Sequence, residues 1–413
     1  MSVRRVPRWS EFANLLRPQP LEWSRTRRRL RAAASVRDLR DLARRRAPRA
    51  VFDYTDGGAD AEISLRRSRE AFARVEFVPR ILRDVSSVDT STVILGVKAN
   101  LPMIFAPTGF TRMMHHQGEP AVGRVAERVG IPYVLSTLAT TSPEDLATAV
   151  PDGDNWFQLY IWRDRAASRE LLDRVAAAGY RVLVLTVDAP VAGARLRDAR
   201  NGLTIPPSIT LKTFLDAAAH PAWWLNLLTT EPLRFASLNN WNGTVAELMN
   251  KIFDPGVTID DLDWLRGQWP GPLVIKGIQT VDDATTVVNH GADAVVISNH
   301  GGRQLDRAPV PLEQLPRISA AVGDRAEVYI DGGIMAGSDL IAAIAYGARA
   351  CLVGRAYLYG LMAGGEPGVQ RAADLLHADA RRTMQLLGVS HISGLNPGCV
   401  RFLRSGPQPQ SGS

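Results

Sequence analysis

Cysteine is almost missing from this chain: Cys351 and Cys399 are the only two in 413 residues, which excludes a disulfide framework and fits a reducing cytosol. Long apolar runs are missing too. Hydrophobic residues make up 46% of the chain, enough for a sizeable core, yet no run reaches the roughly 18–20 residues that span a bilayer. Arg4-Arg5 leads into Val-Pro-Arg-Trp rather than an apolar segment, so no secretory signal is expected. Lysine is the third scarcity, with four (Lys98, Lys212, Lys251, Lys276) among 49 basic residues. One of these four, Lys276, nevertheless follows the apolar run Leu273-Val274-Ile275. A buried ammonium needs a partner, and its compact charge suits a small anionic centre.

Positive charge is plentiful but unevenly placed. Residues 1–49 hold 15 Arg against Glu11, Glu22, Asp38 and Asp41, whereas the whole chain carries a net +7. The basic character therefore belongs to an N-terminal extension (1–35) and the start of the next helix, and the remainder is slightly acidic. No stacking aromatics interleave Arg25-Thr26-Arg27-Arg28-Arg29 and no zinc or helix-turn-helix pattern follows, so nucleic acid is not the expected partner. A solvated basic helix, or one drawn to an anionic membrane surface, fits better.

Along the chain, Ser35 precedes Val36, Leu39, Leu42 and Ala43 at helical spacing, the pattern of an N-capped helix. Tyr54 falls near a helix end, before Gly57-Gly58. From residue 101 short apolar runs alternate with longer helical stretches, as repeated βα units require. There are eight runs: Met103–Ala106, Tyr133–Ser136, Trp156–Tyr160, Val182–Val187, Leu273–Lys276, Ala294–Ser298, Glu327–Asp331 and Ala350–Gly354. Eight is the closure number of a (β/α)8 TIM barrel, whose chemistry sits where the strands end. Those ends read Pro107-Thr108-Gly109, Ser136-Thr137, Gln158 with Tyr160, Thr186 with Asp188, Lys276, Ser298 with His300, Asp331-Gly332-Gly333 and Gly354-Arg355. The richest is Ser298-Asn299-His300-Gly301-Gly302-Arg303-Gln304-Leu305-Asp306, which sets a proton acceptor three residues from an anion clamp. Asp306 reads as a structural partner for a nearby charge or turn.

These strand ends, with Phe52-Asp53-Tyr54, Leu185-Thr186-Val187-Asp188 and Ile275-Lys276-Gly277, resemble the FMN-dependent α-hydroxy-acid dehydrogenase/oxidase family over roughly residues 36–393, and within it the bacterial respiratory L-lactate dehydrogenases. The resemblance implies a single α/β barrel domain, 36–393, interrupted at 189–272 after strand four, and a C-terminal tail, 394–413. It implies FMN as cofactor, a small 2-hydroxy acid as substrate, a quinone or other electron acceptor, and a homo-oligomer, a tetramer in the family. His300 matches the base and Asp188 its carboxylate partner. Arg303 and Arg195 match clamps on the substrate carboxylate, and Tyr54 and Tyr160 the substrate-binding phenols. Lys276 matches the lysine beside the flavin ring, where negative charge accumulates. Pro107, Thr108, Gly109, Ser136, Gln158, Thr186 and Ser298 match the ring-binding set. Asp331, Gly332, Gly333, Gly354 and Arg355 match the ribityl and phosphate end.

Three positions depart from the family pattern. Met335 stands where a phosphate-binding arginine is usual, Leu196 where an acid usually accompanies the mobile arginine, and Leu138 where glycolate-type relatives carry a larger aromatic. Gly109 tilts the resemblance toward a dehydrogenase, since relatives that react fast with oxygen tend to carry alanine there. The insertion contains His220-Pro221-Ala222-Trp223-Trp224-Leu225-Asn226-Leu227-Leu228, which suits either a bilayer interface or a lid. Attachment to the cytoplasmic face of the cell membrane is the expectation, with a flavin-dependent barrel isomerase as the alternative chemistry.

Overall fold

The structure, a computed structural model, describes residues 5, 8–13, 22–202, 216, 218–233, 235–236 and 253–403. Eight parallel strands close a barrel in chain order: β1 Met103–Phe105, β2 Tyr133–Ser136, β3 Asn155–Leu159, β4 Val182–Thr186, β5 Leu273–Ile278, β6 Ala294–Ile297, β7 Glu327–Asp331 and β8 Ala350–Val353. The closing register pairs Cys351 with Met103 and Val353 with Phe105. Strands such as Val-Leu-Val-Leu-Thr and Ala-Val-Val-Ile are buried along their whole length, because one face looks into the barrel and the other onto helices. Ile104, Val134, Trp156, Val184, Val274, Val296, Tyr329 and Leu352 fill the interior, and a larger apolar layer separates strands from the outer helices.

The expected helix after Ser35 is Val36–Arg46, closed by a reciprocal cap: Asp38 N–H donates to Ser35 Oγ (3.2 Å) and Ser35 N–H to Asp38 Oδ2 (2.9 Å). Helix Glu366–Leu387 opens with proline in its first turn and stops at Gly388, whose φ of 74° is left-handed. Two stretches outside 36–393 also pack on the body. Leu30 of helix Arg25–Ala32 is buried, and Val400–Phe402 pairs antiparallel with Val75–Phe77, placing Phe402 against Tyr346.

The 189–272 insertion contributes three described helices, Leu196–Asn201, Pro221–Leu228 and Ile259–Gln268. Among the described residues no helix is long and apolar enough to cross a membrane. Trp223 and Trp224 meet edge to face and are both half-buried. Trp223 Nε1 donates to the Met113 carbonyl at 3.0 Å, so this half of the helix is tied to the barrel and its outer flank is formed by exposed Leu225 and Leu228.

Candidate active site

At the C-terminal ends of the strands lies a cavity of about 740 Å3. Tyr54, Pro107, Thr108, Gly109, Ser136, Gln158, Tyr160, Thr186, Arg195, Lys276, His300, Arg303, Asp331, Gly332, Gly333, Gly354 and Arg355 all line it. Asp188 and Ser298 stand one bond behind this wall, the first under His300 and the second beside Lys276.

Lysine 276 is placed by a bulge. The register between β5 and β6 shifts between Lys276 and Ile278, so β5 runs two residues past its expected end. Gly277 takes a φ of 113°, and a Cβ there would sit 2.7 Å from that of Asp188. Lys276 Nζ donates to Asp331 Oδ2 (2.8 Å) and Ser298 Oγ (2.9 Å). Burial works against its charge, but Asp331 and Asp188 outweigh that and hold its pKa above the usual value.

After β6 the chain turns through left-handed backbone at His300 (φ 57°), Gly301 and Gly302. Only glycine fits at 302, where a Cβ would meet Leu65 N at 2.6 Å. His300 pays for its own conformation at about 1 kcal/mol or more, and in return its Nδ1 lies 2.9 Å from Asp188 Oδ1. Burial would raise the Asp188 carboxyl, but His300 and Lys276 bring it below the usual range, so it is an anion at neutral pH. That carboxylate fixes the tautomer: Nδ1 carries the proton and Nε2 is left as the acceptor. Gln304 joins the two loops, donating to the carbonyls of Asp188 (3.2 Å) and Val191 (2.9 Å) while accepting from Gly193 N–H. Asp306 receives the Ile63, Ser64 and Arg307 N–H groups, the structural role expected of it.

Arg303 has no carboxylate partner among the described residues. Its guanidinium donates to the carbonyls of Tyr54 and Gly57 and lies 5.0 Å from the Tyr54 ring centroid. Burial and the neighbouring Arg195 pull its pKa down to about 10, still a cation at neutral pH. Arg195, 5.4 Å from the same ring, loses to burial but gains more from Tyr54 and Asp198. Asp198 Oδ2 lies 3.8 Å from Arg195 Nε, so the acid missing at Leu196 is supplied from two residues further on. Tyr160, buried, has its phenol pushed far up by burial and Asp188, which keeps it a neutral donor.

Of the lining residues that the sequence did not point to, three shape the site most. Asp198 was visible in principle, three residues beyond Arg195 at the start of a helix. Phe253 carried no signal: it belongs to the insertion and meets Tyr160 edge to face at 5.1 Å, roofing the cavity. Met114 follows β1 in a short helix and forms the wall toward the extension.

The donor set fits a flavin mononucleotide. Gln158 Oε1 accepts from Ser136 Oγ (3.0 Å), while Gln158 Nε2 is buried without a partner, a donor waiting for a ring carbonyl. Lys276 supplies a fixed cation, and Gly332, Gly333 and Gly354 give the far end a wall of bare backbone beside Arg355. Arg355 donates to the Thr55 and Gly57 carbonyls at 2.9 Å. Met335 lines the same end, and Arg69, which reaches the Gly333 carbonyl, is held by Asp339 and does not line the cavity.

Residues 43–402 match the model of the FMN-dependent dehydrogenases. A Mycobacterium tuberculosis protein assigned provisionally as an L-lactate dehydrogenase is 57% identical over 401 residues, 97% of each chain. An L-lactate oxidase of Nostoc is 41% identical over 87% of this chain and 95% of its own. The crystal structure of a monotopic membrane protein, (S)-mandelate dehydrogenase, superposes with a TM-score of 0.86 at 38% identity, covering 90% of this chain and 99% of the other. Family model, relatives and cavity agree: the chain belongs to the FMN-dependent dehydrogenase family, an oxidoreductase whose cofactor is FMN.

Proposed function

We propose that this protein oxidises an L-2-hydroxy acid, L-lactate first among them, to the 2-oxo acid and passes the electrons to a quinone. The observation that carries the reading is the single wall on which His300, backed by Asp188, stands three residues from the carboxylate-free Arg303. Arg303 and Arg195 grip the substrate carboxylate, a bidentate task for which guanidinium is shaped. Tyr54 and the neutral Tyr160 hold the carboxylate and hydroxyl, fixing the Cα–H bond in one orientation. His300 Nε2 takes a proton from the substrate, and Asp188 stabilises the imidazolium that results. Bound FMN supplies the two-electron acceptor. Lys276 would supply a fixed positive charge to the bound cofactor, and Gln158, Ser136, Thr186, Pro107 and Thr108 would seat its ring. The backbone at Gly332, Gly333 and Gly354 together with Arg355 would hold the phosphate, with Asp331 toward the ribityl chain.

Leu138 and Phe253 leave an apolar wall that suits a small aliphatic substituent. The family resemblance at Gly109 supports a dehydrogenase over an oxidase; alanine there would press its Cβ to 3.0 Å from that of Leu138, which would have to give way. The exposed Leu225 and Leu228, with the basic extension, support peripheral attachment to the cytoplasmic face of the membrane, in line with the monotopic mandelate dehydrogenase. A homotetramer is the assembly the family resemblance implies, which light scattering of the holoenzyme tests.

His300→Gln should slow anaerobic, lactate-driven bleaching of the flavin by about 10²–10⁴-fold while the protein stays yellow. Rapid bleaching in that variant would overturn the assignment of the base. Mixing the substrate-reduced enzyme with a quinone analogue or with oxygen then identifies the acceptor. Recovery of all the full-length protein in the soluble fraction at low salt without detergent would count against membrane attachment.

A further inference from the structure

Across Met114 from the flavin cavity lies a second pocket of about 330 Å3, between the N-terminal helices and helix Pro221–Leu228. Its walls carry Arg29, Arg45, Arg46, Arg112, His115, His116 and His220, and none of its lining residues is an acid. Among the described residues none of these four arginines has a carboxylate within 4.0 Å, although ion pairs are frequent elsewhere on the molecule. Two acids flank the Pro221–Leu228 helix: Asp216 faces His220 at 3.8 Å, and Glu231, whose carbonyl meets Arg112, does not line the pocket. Outside the described residues the sequence contains one acid, Glu247.

The pocket is built rather than splayed. Arg46 Nη1 donates to Thr26 Oγ1 at 2.8 Å and Arg112 Nη2 to the Glu231 carbonyl at 2.7 Å, which holds both guanidinium groups with donors to spare. Gln117 N–H donates to His115 Nδ1, so the neutral imidazole presents Nε2–H as a further donor. His116 Nδ1 is buried with no partner. The clustering has a cost. Burial and Arg29 lower the Arg46 pKa, and burial, His116 and Arg46 press His115 down to about 3. Concentrated like charge that the fold does not neutralise is relieved by an anion from outside.

We infer that this pocket is an anion site for a phosphate group, gripped by Arg46 and Arg112 and distinct from the flavin phosphate end of the main cavity. Arginine forks match phosphate oxygens, and a pocket without a carboxylate repels nothing on the incoming dianion. The phosphate could be that of a free ion or phosphoester, or the headgroup of an anionic phospholipid, for which Leu225 and Leu228 on the same helix offer an apolar flank. The inference stands apart from the identity of the hydroxy acid.

The test uses the FMN-loaded protein, so that the flavin phosphate end is filled. Inorganic phosphate is titrated calorimetrically, and binding to phosphatidylglycerol vesicles is compared with phosphatidylcholine vesicles by flotation. The pocket variant is R46Q/R112Q, with R46Q alone as the milder change. The control, R27Q/R28Q, removes the same charge from exposed arginines that do not line the pocket. Flavin content and melting temperature report folding. Saturable phosphate binding weakened about tenfold or more by the pocket variant, and less than twofold by the control, supports a free phosphate or phosphoester. Phosphatidylglycerol binding with that same variant dependence, and no response to phosphate, assigns the site to a lipid headgroup. Binding of neither probe, or equal weakening by both variants, overturns the inference.

Discussion

Lys276 and Arg303 sit in one cavity and are treated in opposite ways. Lys276 has Asp331 at 2.8 Å and Asp188 nearby, and its pKa is raised. Arg303 has backbone carbonyls and a tyrosine ring, with Arg195 beside it, and its pKa is lowered. The difference separates cations that the fold itself completes from cations whose counter-charge arrives with a ligand. By that measure Arg46 belongs with Arg303: it too is lowered, by burial and by another arginine. The lesson is local and physical, since a buried charge without a partner is costly and persists where binding repays it.

Four substitutions probe this division. The largest effect belongs to Lys276→Met, which leaves Asp331 and Asp188 without their cation; a loss of about 3–5 kcal/mol in urea unfolding is expected, together with weaker FMN retention. If stability were unchanged, Lys276 would belong with the open cations. Arg303→Gln removes a charge that the free protein does not neutralise. It should raise the KM for lactate about 10–100-fold while leaving the melting temperature of the substrate-free enzyme level or higher. A fall in stability comparable to that of Lys276→Met would erase the contrast.

Asp56 extends the comparison to the completed side. It receives Arg40 Nε at 2.5 Å, Arg197 Nη1 at 3.0 Å and the Tyr359 hydroxyl at 2.8 Å, and although burial pushes it up, Arg40, Tyr359 and Arg197 hold it below the usual 3.8. A depressed carboxylate stabilises the fold above its unfolded pKa, and that contribution is lost as pH falls through the usual range toward the folded value. Asp56→Asn should therefore cost about 1–3 kcal/mol at pH 6 and much less at pH 3, as denaturation at the two pH values would read. The smallest change is expected of Arg46→Met: stability within about 1 kcal/mol of the parent, lactate turnover unaltered, and phosphate response gone. Strong destabilisation there would return Arg46 to the structural arginines.

Much of this was legible before any coordinates. The eight apolar runs gave the barrel because a strand covered on both faces must be apolar throughout, and the polar groups at their ends gave the cavity because strand ends converge on one face. The β5 bulge was hidden, since Gly277 in the sequence says only that an unusual backbone is permitted there. Asp198 was overlooked because the acid was sought next to Arg195 and not one helical turn away. Phe253 and the second pocket were out of reach for a different reason. Their partners, Tyr160 in one case and Thr26, Arg46, Arg112 and Asn226 in the other, are dispersed along the chain, and periodicity within a segment carries no information about which segments meet.

One feature of the barrel bears on how the protein is made. Its seam joins Met103 to Cys351, and the short sheet beside it joins Val75 to Phe402. At about 5–20 residues per second, roughly 10–50 seconds of synthesis separate β1 from the strand that completes it. Throughout that interval β1 lacks the neighbour of one edge, a stretch of buried-type residues, Met-Ile-Phe, of the kind that templates pairing between chains. Slowing the ribosome inside the insertion would lengthen the exposure, and a cell short of chaperones would then yield aggregated protein of unaltered sequence.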